Sequence, residues 1–276
     1  MIKKIIKIIL IIAIIISLIV LYSRYIATTG LKTNEIVINN QNINEDFDGL
    51  KVVHFSDLHY KRIITKKRIK EIINEINLIN PDLVIFTGDL IDDDSTITDD
   101  DIKYLKEILS KINSKYGKYA VLGNHDYSIE IEKLRELYND SDFNLLENNY
   151  DYIYSKNNNK IYIAGISTGE FNEEIINNMN TDENIYKIIL LHEPDFIDRL
   201  SNINANLALS GHSHNGQVNI PYIKELFLPK NAKKYYEEYY KVNNTEFYIS
   251  NGIGVSRYNF RLFNTPSINF YRINKD

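Results

Sequence analysis

Short apolar runs alternate along this chain with segments of helical periodicity, and that alternation constrains the fold more than any other feature. Residues 82–86 are typical of a strand buried on both faces, whereas residues 64–79 repeat isoleucine at the spacing of an amphipathic helix. Further strands are expected at residues 34–39, 50–55, 118–122, 150–154, 160–166, 186–191, 206–209, 246–250 and 267–273, and further helices near 99–112, 129–138, 171–179 and 194–200. Strands and helices in this order predict an α/β protein.

The first 25 residues differ from the rest, because Lys3, Lys4 and Lys7 accompany a nearly uniform apolar run. The stretch from residue 5 to residue 22 is 18 residues long, or about 27 Å as a helix, which crosses a hydrocarbon core if Lys7 reaches back to the interface. We expect a transmembrane anchor at residues 1–25. A cleaved signal peptide is the alternative, although no Ala-x-Ala cleavage pattern follows the run.

The charges around the apolar run predict its orientation. Three lysines lie at its start and Arg24 follows it, so the positive-inside rule leaves the N-terminus in the cytoplasm. We expect a single-pass protein of the cell membrane whose main part lies outside the cytoplasm. Residues 26–48 are expected to form a linker and the first strand, and residues 49–276 a single domain, because no shift in composition divides them.

Composition excludes several classes of function. Charged residues make up 25% of the chain and its net charge is −5, with lysine and arginine dispersed along it. No nucleic-acid partner is expected, since such partners require clustered cations. Cysteine is absent, which excludes disulfides, thiolate nucleophiles and cysteine-bound zinc. The oligomeric state is not predicted by any of these features.

Polar side chains that bind metals follow five of the predicted strands. Five of the six histidines occupy these positions, which scattered structural histidines would not do. The residues concerned are Asp57, His59, Asp89, Asn124, His125, His192, His212 and His214. In open α/β sheets the ligand crevice lies at the carboxyl ends of the strands, so these loops are expected to converge on one site.

The residue types at these positions suit transition metals. Carboxylate, amide oxygen and imidazole bind manganese, zinc or iron, whereas calcium sites use oxygen alone. His212 and His214 are separated by one residue, so in an extended chain they project from the same face. Seven candidate ligands are too many for one ion, and two ions about 4 Å apart that share a carboxylate would use all of them.

The order of these blocks resembles the calcineurin-like metallophosphoesterase superfamily. The matching blocks are Asp57-x-His59, Gly88-Asp89, Gly123-Asn124-His125-Asp126, His192 and Gly211-His212-x-His214. Residues 211–217, followed by Pro221, and residues 248–254 are similar to the bacterial membrane-associated branch typified by the YkuE and YaeI phosphodiesterases. The resemblance covers nearly all of the chain after the anchor, so residues 49–276 are expected to be the metallophosphoesterase domain.

The resemblance implies a fold, a metal pair and a reaction. The fold would be a four-layer αββα sandwich of two mixed β-sheets behind the N-terminal helix. One ion would be held by Asp57, His59, Asp89 and His214, and the other by Asp89, Asn124, His192 and His212. A hydroxide between the ions would attack phosphorus. His125 would stabilise the transition state or protonate the leaving oxygen, and Asp126 would orient its ring.

The expected activity is therefore hydrolysis of a phosphodiester at the membrane or cell surface. Two alternatives stay open: a lipid-linked pyrophosphatase of the UDP-diacylglucosamine hydrolase type, and a non-catalytic metal-binding scaffold. Protein Ser/Thr phosphatases of the superfamily carry an arginine shortly after the bridging aspartate, where this chain is acidic at residues 92–94. Purple acid phosphatases carry a tyrosine ligand where this chain has Asp92.

Other polar residues carry weaker expectations. His54 lies inside a predicted strand and is expected to be a structural histidine, and residues 92–94 are expected to be a solvated acidic loop. Arg257 and Arg261 either contact substrate phosphate or are simply solvated. The aromatic residues between 221 and 241 either form a lip over the site or near the bilayer, or pack in the ordinary way. Asn215 stands where the branch usually has glycine, which is tolerable because asparagine adopts positive φ.

Overall fold

The computed structural model describes residues 1–168, 179 and 184–276. Its α-helices are α1 (Ile2–Tyr25), α2 (Lys66–Ile79), α3 (Asp99–Leu109) and α4 (Ile131–Asp140). Its strands are β1 (Lys32–Asn39), β2 (Leu50–Phe55), β3 (Leu83–Phe86), β4 (Lys118–Ala120), β5 (Phe143–Leu145), β6 (Asn149–Tyr154), β7 (Lys160–Ile166), β8 (Lys187–Leu191), β9 (Leu207–Ser210), β10 (Tyr239–Val242), β11 (Thr245–Ile249) and β12 (Ser267–Asn274). Short 3₁₀ helices occupy Glu45–Phe47, His125–Ser128, Pro194–Ile203 and Lys224–Phe227.

Two six-stranded sheets carry the fold, and both are mixed. The first sheet has the order β1-β12-β2-β3-β4-β5, in which only the pairing of β12 with β2 is antiparallel. The second has the order β10-β11-β9-β8-β7-β6, parallel except for the outer pairs β10–β11 and β6–β7. The strand expected in the linker, β1, pairs with β12 along its full length and so belongs to the first sheet.

Three apolar layers hold the sheets and helices together. Between the sheets, Val52 and Ile85 of the first pack with Ile163, Ile188 and Leu209 of the second, all fully buried. The outer face of the first sheet packs against α2, α3 and α4. The outer face of the second sheet packs against the 3₁₀ helix Pro194–Ile203. This arrangement confirms the αββα sandwich that the resemblance implied.

Local sequence explains where α2 and α3 begin. Thr65 accepts a hydrogen bond from the backbone N–H of Arg68, and Thr98 forms a capping box with Asp101. The isoleucines spaced along α2 all face the first sheet. These contacts agree with the helices predicted from periodicity.

Some elements differ from the sequence-based expectation. The edge strands β5 and β10 are short, three and four residues, and no periodicity marked them. The segment after Pro194 is a 3₁₀ helix rather than an α-helix. The helix predicted near residues 171–179 lies almost wholly outside the described residues.

The helix α1 is the one helix among the described residues that is long and apolar enough to cross a membrane. It runs for 24 residues, its most apolar window has a mean hydropathy of 3.1, and no part of that window is buried in the protein. Only its end contacts the folded domain: Ser23 is buried, and its carbonyl accepts a hydrogen bond from the backbone N–H of Arg261 at 3.0 Å.

Candidate metal centre

The loops after β2, β3, β4, β8 and β9 meet at one edge of the sandwich, where the two sheets adjoin. Side chains from these loops form two clusters of predicted ligands, in each of which the potential ligand atoms lie within 4.8 Å of one another, and a further group of this kind joins His59, Asp92 and His125. The first cluster is Asp57, His59 and His214, and the second is Asp89, His192 and His212. The convergence follows from the parallel strands at the centre of both sheets, which end on the same side.

Short distances connect the residues of the first cluster. Nε2 of His214 lies 3.3 Å from Oδ1 of Asp57 and 3.3 Å from Nε2 of His59. Asp89 joins this cluster as well, because its Oδ2 lies 3.6 Å from Nε2 of His59. The four residues predicted to hold the first ion are therefore neighbours.

In the second cluster, hydrogen bonds to backbone carbonyls orient both imidazoles. Nδ1 of His192 donates to the carbonyl of Thr87 at 2.6 Å, and Nε2 of His212 donates to the carbonyl of Lys230 at 2.7 Å. When the ring is neutral, its other nitrogen carries a lone pair. That of His192 faces Oδ2 of Asp89 and Oδ1 of Asn124, each at 3.2 Å.

The two clusters concentrate groups that favour a nearby positive charge. Burial acts to lower the pKa of His192, but the Asp89 carboxylate outweighs it and raises that pKa to about 10. Burial acts to raise the pKa of Asp57, but the nearby imidazoles, His214 foremost, hold it below its ordinary value. A bound divalent cation would satisfy the same demand, and the donor set of nitrogen, carboxylate and amide suits a transition metal.

The backbone at the site adopts a conformation that side chains ordinarily avoid. Five of the seven candidate ligands have positive φ: Asp57, His59, Asp89, His212 and His214, with φ between 45° and 65°. Such angles cost about 1 kcal/mol or more for each non-glycine residue, and a concentration of them in one place is typical of functional sites. Asn215, the departure from the branch pattern, also has positive φ, at 51°.

Two glycines leave room for the ligands. Gly211 lies so close to the Asp57 carboxylate that a β-carbon there would approach Oδ2 to 2.5 Å. Gly88 has φ of +90° and packs against the backbone of Gly123. Neither position accepts a side chain without moving a ligand loop, which explains the glycine before Asp89 and the glycine before His212.

His125 stands beside the clusters, but Asp126 does not orient it. Nε2 of His125 lies 4.0 Å from Oδ2 of Asp89, and the side chain remains 14% exposed. The Asp126 carboxylate instead accepts hydrogen bonds from the backbone N–H groups of Asp89, Leu90 and Gly123, at 2.8–3.0 Å. The expectation that Asp126 holds the His125 ring is therefore wrong, since its carboxylate fixes the loop that carries Asp89.

A different carboxylate approaches the His125 ring. Oδ1 of Asp93 lies 2.9 Å from its Nδ1, although not in line with the ring N–H. Burial and the neighbouring Asp89 raise the pKa of Asp126 to about 6, against the effect of its backbone donors. Asp93 is thus the carboxylate nearest to the His125 ring, and Asp126 is a buried residue that fixes the Asp89 loop.

The expectation of a fully solvated acidic loop is wrong for Asp92. Its side chain is buried, with Oδ1 at 3.5 Å from Nδ1 of His59 and a bidentate contact to Arg62 at 3.1 Å. Arg62 also donates to Asn259 and to the carbonyl of Arg257. Asp94 is 75% exposed, as a solvated loop residue should be.

Arg261 is neither solvated nor available to a substrate. It is fully buried and donates to the carbonyls of Asn251, Gly252 and Gly254, with Nη2 also 3.2 Å from Nδ1 of His214. The sequence gave no sign of this, because burial of the arginine depends on how the loop before it folds so that its carbonyls face the guanidinium. Arg257 is exposed and lines the cavity above the clusters.

Two other expectations agree with the structure or are resolved by it. His54 is a structural histidine: it is fully buried in β2, bonded to Thr87 Oγ1 at 2.8 Å, and burial lowers its pKa to about 3. The aromatic segment divides into two parts. Phe227 lines the cavity, whereas Tyr235 and Tyr240 pack against Phe247.

The cavity above the clusters has a volume of about 440 Å³ and opens to solvent. Asp89, Asn124, His125, His212 and His214 lie at its floor. Its walls carry three basic side chains, Arg62, Lys230 and Arg257, and three acidic ones, Asp93, Asp94 and Glu193. An open cavity above clustered metal-binding side chains is the arrangement expected of a metal-dependent hydrolase.

Comparison with known proteins identifies the family. A model of the calcineurin-like phosphoesterases matches residues 50–216. The metallophosphoesterase YkuE of Bacillus subtilis, itself uncharacterised, is 32% identical over 258 residues, which is 91% of this chain and 88% of that protein. The phosphodiesterase YaeI of Escherichia coli is 25% identical over 222 residues, or 79% of this chain and 80% of that protein.

A third relative has a name that mentions the membrane. The "transmembrane protein with metallophosphoesterase domain" of Danio rerio is 27% identical over 206 residues, which is 68% of this chain and 45% of that protein. Taken together, these matches show that the chain belongs to the calcineurin-like phosphoesterase family, in the branch of YkuE and YaeI. It is a metallophosphoesterase, a hydrolase of phosphoric esters that uses divalent metal ions.

Proposed function

We propose that this chain is a phosphodiesterase that uses two divalent transition-metal ions, manganese, zinc or iron, at a membrane surface. The observation that carries the proposal is the meeting of two ligand clusters at Asp89, whose carboxylate lies within 3.6 Å of both His59 and His192. A carboxylate between two clusters is the arrangement that a pair of ions requires. The phosphodiesterase name of the relative YaeI supports this choice of substrate class.

The ligands divide between the two ions as the clusters do. Asp57, His59, Asp89 and His214 would hold one ion, and Asp89, Asn124, His192 and His212 the other. The bound ions would supply activation of water and neutralisation of charge on the phosphate.

The remaining roles fall to residues that line the cavity. His125 is placed to give a proton at Nε2 to the leaving oxygen, because this atom faces Asp89 and Ser256 Oγ, the latter at 3.4 Å. Asp126 acts indirectly: its carboxylate accepts hydrogen bonds from the backbone of the loop that carries Asp89 and so fixes that loop. Arg257, on the cavity wall, is suited to the charge of the substrate phosphate.

The membrane location rests on α1. A helix of 24 residues spans about 36 Å, enough for a hydrocarbon core, and the Danio rerio relative carries a transmembrane name. We propose residues 1–25 as a single-pass anchor, residues 26–48 as linker and first strand, and residues 49–276 as an extracytoplasmic catalytic domain. Because the chain has no cysteine, labelling of an Asn274→Cys variant on intact cells by an impermeant maleimide tests this topology, and protection from the reagent would reverse it.

The choice of substrate distinguishes the proposed phosphodiesterase from its two alternatives. A lipid-linked pyrophosphatase would cleave a phosphoanhydride in preference to a diester, and a scaffold would bind metal without hydrolysing either. The relevant experiment compares bis(p-nitrophenyl) phosphate, p-nitrophenyl phosphate and a UDP-linked lipid pyrophosphate, each with Mn²⁺, Zn²⁺ and Fe²⁺. We expect the fastest turnover on the diester.

Asp89→Asn tests the dinuclear site directly. Loss of the shared charge should reduce bound metal by about one equivalent and turnover by about 100-fold or more. Asp100→Asn, at an exposed position on α3 that does not line the cavity, is the control and should retain both. Full activity in Asp89→Asn would exclude the proposed metal pair.

A further inference from the structure

Two loops form both the mouth of the cavity and an exposed apolar surface beside the anchor. The loops, residues 217–227 and 256–263, are joined by backbone hydrogen bonds between Asn219 and Leu262 and between Leu262 and Gln217, at 2.9 and 3.1 Å. The rings of Phe227 and Tyr258 meet across them at 6.3 Å. Both rings line the cavity above the metal centre.

The outer side of these loops carries large apolar side chains in water. Tyr222 is fully exposed, Leu226 is 77% exposed and Phe263 is 73% exposed. Ile223 and Tyr258 are each more than 40% exposed. We call these five residues the rim. An exposed apolar group of this kind, rather than scattered single residues, marks an interaction surface.

The end of α1 fixes where the rim lies relative to the bilayer. The backbone N–H of Arg261 donates to the carbonyl of Ser23, and Nη1 of Arg24 donates to the carbonyl of Asn259 at 3.2 Å. The loop with Tyr258 and Phe263 is thus held at the level where the anchor leaves the hydrocarbon. Tyrosine and phenylalanine at that level sit in the headgroup region of a membrane, and nearby arginines attract its phosphates.

We propose that the rim rests in the interfacial region of the bilayer that holds α1, so that the metal centre opens toward the membrane and receives phosphodiesters carried by lipids. The occupant of this surface is the lipid interface, because the rim is continuous with the end of the anchor. Tyr25 and Ile26, at that end, are exposed apolar side chains like those of the rim. The substrate part of this inference rests on the hydrolase activity proposed above. The docking part does not depend on that activity.

The docking part is tested by fluorescence, because the chain contains no tryptophan. Phe263→Trp and Leu226→Trp are placed in the full chain and reconstituted in phosphatidylcholine vesicles with and without brominated acyl chains. Leu78→Trp is the matched control: Leu78 is 79% exposed, but it lies near the far end of α2, roughly 15 Å along the helix from the end that contacts the anchor linker.

The rim variants should show blue-shifted emission that brominated lipid quenches about twofold or more, whereas Leu78→Trp should be unaffected. Equal, weak quenching at all three positions would overturn the docking surface whether or not the enzyme is active.

The substrate part is tested by a ratio of rates in the same vesicles. A soluble diester, bis(p-nitrophenyl) phosphate, is compared with a phosphatidyl p-nitrophenol diester, using Mn²⁺ throughout. In the double variant Leu226→Glu with Phe263→Glu, the ratio of lipid to soluble turnover should fall about tenfold, because buried charge at the interface opposes docking. Leu78→Glu should leave the ratio unchanged.

An unchanged ratio in the rim variant would overturn the lipid-borne substrate. Failure of the unmodified protein to hydrolyse either diester would instead contradict the proposed phosphodiesterase, with the fluorescence result still deciding the docking surface.

Discussion

The carboxylate of Asp92 lies 3.5 Å from Nδ1 of His59, on the side of the ring opposite the metal-facing Nε2. His59 Nδ1 has no hydrogen-bond partner among the described residues, so the Asp92 carboxylate acts through its charge. Burial acts to lower the pKa of His59, but the carboxylates of Asp92, Asp89 and Asp57 outweigh it and raise that pKa, which increases the basicity of the imidazole. Asp92 is itself held by Arg62, whose Nε donates to Asn259 at 2.8 Å. A continuous set of contacts therefore runs from His59 to the loop that meets the end of the anchor.

Asp92→Asn should weaken metal binding without removing a ligand. The amide keeps the shape of the side chain but loses the charge that supports His59, so we expect affinity for one of the two ions to fall about 10–100-fold. Calorimetric titration of metal-stripped protein with Mn²⁺ measures this, with Asp100→Asn, at an exposed position on α3, as the control. Identical titrations for Asp92→Asn and the unmodified protein would mean that Asp92 has only a structural role.

His125→Ala should separate metal binding from catalysis. His125 lies beside the two ligand clusters that meet at Asp89, but it is not one of the proposed ligands. Metal content should therefore stay near that of the unmodified protein while turnover falls about 100-fold. His192→Ala, which removes a proposed ligand, should lose metal.

The leaving group gives a further check on His125. Proton donation matters most for a poor leaving group, so the loss of turnover should be larger for an alkyl diester than for a nitrophenyl diester. An equal loss for both diesters would contradict the proposed proton transfer.

Arg261→Lys should destabilise the domain. Lysine carries three donors on one nitrogen and cannot satisfy the carbonyls of Asn251, Gly252 and Gly254 together. Orphaned buried carbonyls cost about 1–3 kcal/mol each, so the free energy of unfolding should fall by about 3 kcal/mol. Thermal unfolding should show a midpoint lower by about 8 °C. Arg257→Lys, at an exposed position, should leave the midpoint within about 1 °C, consistent with small surface effects.

The sequence predicted the parts of this fold and site that depend on local pattern. The buried strands around Val84 and Ile188 and the helix α2 follow directly from periodicity. The side chains that follow the parallel strands meet at one edge because parallel strands end on the same side of a sheet. The whole sandwich, with its pairing of two mixed sheets, came from the resemblance rather than from periodicity.

What escaped prediction depends on contacts between distant segments. Asp92 looks like part of an acidic run, and only its approach to His59 and Arg62, about 30 residues away in sequence, makes it a buried partner. Arg261 is buried because the loop that precedes it folds back, so that the carbonyls of Asn251, Gly252 and Gly254 surround its guanidinium. Asp126 follows His125 directly in sequence, yet its carboxylate faces the backbone of the Asp89 loop, about 36 residues away, and adjacency in sequence does not determine that direction.

Asp101 should make the stability of the domain depend on pH. It accepts hydrogen bonds from Tyr60, Thr98 and Lys61, and these outweigh burial and hold its pKa below the ordinary value. Because the folded-state pKa lies below the unfolded value of about 3.9, the contribution is complete well above pH 4 and is lost as pH falls through the folded pKa. Asp101→Asn should lower the free energy of unfolding by about 1–2 kcal/mol at pH 7, and the difference from the unmodified protein should shrink below about pH 4. Thermal unfolding of both proteins from pH 7 to pH 3, with exposed Asp100→Asn as control, measures this difference, and a gap that widens as pH falls would show that the Asp101 carboxyl is not stabilised in its charged form.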